Sequence, residues 1–215
     1  MPSLTKSIEV RLSEAELLAD LFGIQYDLDA AYELCEAATT IKEAQINLVV
    51  LEGLVSAAVV KYARCFANGV RHWLNVSDIE DADTNMVEHH EYFIDLRNKY
   101  VSHSVNPFEE TFVTASACER DGVKQPITSL NPGQHRVLLT HDVADHLKSL
   151  IVFVQGVVKN KINDEKAVLL KKIQKIPLYE FYKGDLYTPP KLTTEHVRKS
   201  RRKTGRYNKS VNSQP

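Results

Sequence analysis

The 215-residue sequence predicts a mostly α protein, a four- or five-helix bundle with one short β-hairpin inserted at about 110–130. Three observations carry that prediction. Glycine and proline are sparse, at 8 each, which suits long helices better than a turn-rich β fold. Apolar residues recur at helical spacing through 12–39, 41–74 and 84–102. Between about 110 and 130 that period gives way to β-branched residues on either side of Asp121-Gly122, a hairpin-turn dipeptide.

The first helix is expected from Leu12 to about Thr39, opening with Ser13 and Glu16 at capping-box spacing. Gly23 is a point where it can bend or divide. The second is expected from about Ile41 to Leu74. Its stretch "INLVVLEGLVSAAVV" is apolar nearly all round, which predicts burial on several sides and a central place in the bundle. Asn47 and Glu52 interrupt that stretch, and it falls short of the roughly 20 apolar residues of a membrane span, so no membrane partner is expected. A polar loop, "NVSDIEDADTN", leads to a third helix from Thr84 to about Ser102. After the hairpin, Thr140 or Asp142 caps a helix through "DVADHLKSLIVFVQGVVKNKI", and a further helical segment over 163–176 ends at Pro177. The aromatic stretch "LYEFYKGDLYTPP" should pack back on the body. The domain reading is a bundle over 1–160, a C-terminal helix and aromatic segment over 161–190, and a basic disordered tail over 191–215.

Hydrophobic content of 43 % and charged content of 26 % are those of a soluble globular protein. The N-terminal stretch lacks the uninterrupted apolar centre of a signal peptide. Cys35, Cys65 and Cys118 are odd in number and widely spaced, which favours reduced thiols in a cytoplasmic protein over a disulfide framework or a zinc site. Residues 191–215 hold 8 basic residues and 1 acidic one against chain totals of 27 and 28, leaving the body at about −8 and the tail at about +7. Such a tail can touch RNA phosphates without sequence preference, or simply offset an acidic body.

The stretch "FIDLRNKYVSHSVNPFEE" at 93–110 carries the chemistry. At about 100° per residue, Met86, His90, Phe93, Ile94, Arg97, Tyr100 and Val101 share one face, with Glu88, Glu91, Asp95, Asn98 and Lys99 opposite. Arg97 therefore falls inside an apolar stripe, where a guanidinium needs a partner or a site to face. In a regular helix His103 points roughly 120° away from it. Ser102, Ser104 and Asn106-Pro107 end helices, however, and a loosened last turn, or pairing of this helix with its own copy, can bring the two together. Histidine moves protons near neutral pH and arginine holds phosphate bidentately, the functions RNA cleavage by its own 2′-hydroxyl requires.

"LRNKYVSHS" resembles the Arg-x(4–6)-His motif of the HEPN superfamily, and the long apolar helix, polar loop and motif helix around it are similar to uncharacterised bacterial members. The resemblance implies a HEPN-like bundle over about 12–160, a homodimer with the motif at its interface, and a metal-independent endoribonuclease of the toxin or anti-phage defence type, with no cofactor and with an antitoxin as a possible partner. It carries the catalytic pair onto Arg97 and His103, and the polar residue that follows the arginine onto Asn98. The tyrosine that silenced members carry two residues after the histidine is Val105 here, so regulation by nucleotide transfer is not implied.

Bland readings stand beside these. Arg97 can pair with Glu91 or a carboxylate of another helix, and His103 can cap a helix C-terminus. His90 reads as a satisfied core or interface histidine. Arg64, Arg71, Lys99 and Ser102 are candidate RNA contacts, although the seven-residue spacing of Arg64 and Arg71 equally fits a salt-bridged edge. His141 with Asp145, and Asp142 with His146, have metal-ligand spacing but no third ligand, so no metal site is expected. The rival function is a non-catalytic dimeric module that binds RNA, a nucleotide or a protein partner; a purely structural interaction protein is a third possibility.

Overall fold

A computed structural model describes residues 7–10, 12–41, 47–80, 84–103, 110–182, 191 and 193–198. They form α1 (Ser13–Thr40), α2 (Leu48–Arg64), α3 (Thr84–Leu96), a hairpin of β1 (Thr111–Ala115), β2 (Glu119–Arg120), β3 (Val123–Lys124) and β4 (Leu130–Gln134), α4 (His141–Ile173) and the short α5 (Leu178–Phe181). The chain is mostly helical, as its composition favours. It divides into two compact units: the described residues of Met1–Asp29, Arg64–Asp81 and Val152–Pro215 form one, and those of Ala30–Ala63 and Ala82–Ile151 the other.

In the first unit, α1 buries Leu21, Ile24 and Leu28, and α4 buries Val154, Val158, Ile162 and Leu169, each at helical spacing on one face. The segment that follows α2, residues 65–80, is tied to both by polar groups. Asp20, buried, accepts the His72 backbone N–H at 2.9 Å, and Lys161 pairs with Asp78 at 2.9 Å. In the second unit Ala31, Cys35 and Ala38 of α1 join Leu51, Val55, Ala58, Val59 and Tyr62 of α2, His90, Phe93 and Leu96 of α3, and Ala144, Leu147, Leu150 and Ile151 of α4.

Several boundaries differ from expectation. α1 runs unbroken through Gly23. Its Ser13 side chain lies outside what the structure describes. α2 begins only at Leu48, because Asn47 Oδ1 accepts the N–H groups of Val49 and Val50 at 3.1 and 3.4 Å and so caps the helix there. It ends at Arg64, ten residues short of the expected Leu74, as Asn68-Gly69 breaks the period and the Leu74 N–H closes back on the Cys65 carbonyl at 2.8 Å. Nor is α2 buried all round: Leu48, Val49 and Val50 are exposed, and burial follows one stripe. The two helical segments expected after Thr140 are one helix, α4.

The hairpin is longer than a simple two-strand turn. β1 pairs antiparallel with β4, Val113 opposite Pro132, and β2 with β3 at the tip. There Asp121 and Gly122 both have positive φ, 52° and 76°, which matches the right-handed twist of the strands. The Phe112 ring lies over Gly133 and leaves no room there for a Cβ. Of the aromatic segment, Leu178–Tyr182 are described, and of the tail Lys191 and 193–198; the disorder expected of the tail otherwise concerns residues outside the described ones.

Candidate functional site

α3 shows the two faces its sequence predicts. Glu88, Glu91, Asp95, Asn98 and Lys99 are exposed, while His90 and Phe93 are buried and Arg97, Tyr100 and Val101 are half-buried. His90 is a satisfied core residue: its Nδ1 lies 2.8 Å from the Tyr62 hydroxyl, and burial holds it below the usual histidine range.

The helix does not simply fray at the motif. Arg97–Val101 forms a π turn, closed by the Ser102 N–H donating to the Arg97 carbonyl at 3.0 Å. Single π turns inside α-helices recur at functional sites because the extra residue re-aims the side chains around it. Here Tyr100 is turned so that its hydroxyl donates to Glu52 Oε1 of α2 at 2.9 Å, and Glu52 in turn pairs with Arg136. Burial, then Glu52, raises the Tyr100 phenol, and the neighbouring Tyr100 oxygen, then Glu52, raises Arg136. This network pins the π turn to α2 and to the segment following β4. Sequence reasoning missed it, although one signal was present: Glu52 in an otherwise apolar stretch needs a partner.

Arg97 keeps its guanidinium out of such networks. Its Nη1 donates to Asn98 Oδ1 at 2.8 Å, and among the described residues no carboxylate pairs with it, Glu91 included. His103, two residues past the π turn, is exposed. The structure thus brings Arg97 and Asn98 together and places His103 within the same short segment, but joins it to neither. Asn106 and Pro107, expected to shape that end, lie outside the described residues. Lys99 forms an exposed pair with Asp95 at 2.8 Å, and Ser102 is the exposed C-terminal cap of the π turn.

Against the same helix lies a cleft of about 490 Å³ walled by Tyr92, Leu96, Tyr100, Val137 and Leu138, with charge from Asp95, Lys99 and Arg136. Arg64 and Arg71 belong to the other unit and share no helix face, since α2 stops at Arg64. Both turn to one carboxylate: Arg71 lies 2.7 Å and Arg64 3.7 Å from the buried Asp27. His146 stacks on His89, ring centroids 5.1 Å apart, and among the described residues no group of three or more His, Cys, Asp or Glu side chains is placed to hold a metal. Among them, too, no helix is long and apolar enough to cross a membrane.

No family model, curated protein or solved structure matches this chain.

Proposed function

We propose that this chain is a HEPN-type, metal-independent endoribonuclease of the toxin or defence kind, working in the cytoplasm as a homodimer. The observation that supports it most is Arg97: half-buried at a π turn, held by the adjacent Asn98, and engaged by no carboxylate among the described residues. A structural arginine is consumed by ion pairs, as Arg71 is by Asp27; a phosphate-binding one keeps its fork of donors available.

In this reading His103 accepts the proton of the RNA 2′-hydroxyl as the O2′ attacks phosphorus. Arg97 neutralises the charge gathering on the phosphorane oxygens, and Asn98 orients the guanidinium. The P–O5′ bond breaks, and the imidazolium protonates the leaving oxygen. A 2′,3′-cyclic phosphate and a 5′-hydroxyl result. DNA, lacking the nucleophile, is not cut.

Purified wild type and His103→Ala are incubated with structured and single-stranded RNAs in chelator, and the fragment ends are read. Cyclic or 3′-phosphate ends from wild type alone are expected. Fragments with 3′-hydroxyls that need magnesium overturn the mechanism.

The apolar cleft beside the π turn favours a second reading, a non-catalytic module that binds a ligand there. Loss of RNA affinity on deletion of 191–215, without cleavage by the full chain, points to that module; an enzyme built on the motif keeps cutting without the tail.

A further inference from the structure

The paired strands β1 and β4 are exposed along their whole length apart from Gly133, which is half-buried. A two-stranded hairpin in water is marginal by itself, and the two outer edges of this one differ. The His135 N–H donates to the Glu110 carbonyl at 3.0 Å and the Ser116 N–H to the Ser129 carbonyl at 3.1 Å. In the register Phe112↔Gly133 and Thr114↔Asn131, the even-numbered residues of β1 therefore turn their backbone groups inward, and Thr111, Val113 and Ala115 turn theirs outward. On β4 the outward positions are Leu130, Pro132 and Gln134. Proline at the middle of that edge costs the ladder nothing and removes the donor that a further strand would need.

We propose that the outer edge of β1 pairs antiparallel with the same edge of a second copy of this chain, Val113 on Val113 across a two-fold axis, making a four-stranded sheet. The sequence "TFVTA" is self-complementary in that register: Thr111 meets Ala115, Val113 meets itself, and no charge faces a like charge. Val113, at the axis, is 69 % exposed and has much to gain from a β-branched partner. Because Pro132 blocks the other edge, pairing closes at two hairpins instead of propagating, as natural edge strands require. The inference does not depend on RNA cleavage.

The test uses the full chain with Cys118→Ser, which removes the exposed thiol and leaves Cys35 and Cys65 buried. Val113→Cys or Thr111→Cys is added, and a short bismaleimide is applied. Paired Cα atoms lie about 5.5 Å apart, whereas two copies of position 111 are offset by four residues, roughly 13 Å along the strand. A covalent dimer is expected from Val113→Cys and none from Thr111→Cys, and adding Ala115→Cys to the latter restores it. Val113→Pro, which leaves every inward ladder bond in place, is expected to lower the mass seen by sedimentation equilibrium. Equal linking at 111 and 113, or an unchanged mass for Val113→Pro, overturns the proposal. Absence of any linking at Val113→Cys also overturns it, and leaves the edge to an extended segment of another protein.

Discussion

Arg97 and Asn98 are joined side chain to side chain, Nη1 to Oδ1, at 2.8 Å. The bond is local and exposed, so it adds little to stability; in the proposed function it aims the guanidinium.

Asn98→Ala should therefore leave the denaturation midpoint nearly unchanged while lowering cleavage. Loss of one hydrogen bond to a charged group is worth about 1.5 kcal/mol, hence a roughly tenfold fall in kcat. Single-turnover rates beside urea unfolding curves check both halves. A variant that loses stability but cleaves normally would argue against the orienting role.

The two arginines on Asp27 should behave unequally. The Arg71 side chain is 18 % exposed and that of Asp27 9 %, so Arg71→Ala removes the close partner of a nearly buried carboxylate, at a cost of about 3 kcal/mol. Arg64, 51 % exposed and 3.7 Å away, should cost under about 1 kcal/mol when replaced by alanine. Chemical denaturation of both variants measures the contrast. If Arg64→Ala proves the more damaging, the ion-pair account of this site fails.

Burial holds His90 and His72 below the usual histidine range. Both take up a proton less readily in the fold than in the unfolded chain, where they do so near pH 6.5. The unfolded state then binds more protons below that pH, so stability should be flat above about 6.5 and fall as pH drops towards the lowered folded values. Tyr62→Phe, which deprives His90 Nδ1 of its partner, should cost about 1–3 kcal/mol. Urea midpoints at several pH values, with NMR titration of His90, provide the check; protonation of His90 at or above 6.5 contradicts it.

The thiols should separate by burial. Cys35 is pushed up to about 12, first of all by desolvation, and Cys65 is buried, whereas Cys118 is exposed. A thiol reagent at pH 8 should modify Cys118 alone in the native protein, and the other two only after denaturation. Mass spectrometry of labelled peptides reads this directly.

Much of the fold was legible because its signals are local. Helical periodicity located α1, α3 and most of α4, and placed Glu88, Glu91, Asp95, Asn98 and Lys99 on an exposed face opposite His90 and Phe93. Asp121-Gly122 marked the hairpin tip, since few other residues accept two successive positive φ values. Asn47 as a cap and Asn68-Gly69 as a break are equally local signals, masked by the strong apolar period on either side.

The sequence by itself determined where chain could be helical, which faces were apolar, and that an arginine and a histidine close the third helix. Only the tertiary structure decided what those residues touch. The π turn exists alongside a bond from Tyr100 to Glu52, 48 residues away, and Arg71, in the loop after α2, is claimed by Asp27 of α1. Local propensity acts over a few residues, whereas the choice of partner for a buried charge is made by whichever segments the packed core brings within hydrogen-bonding reach.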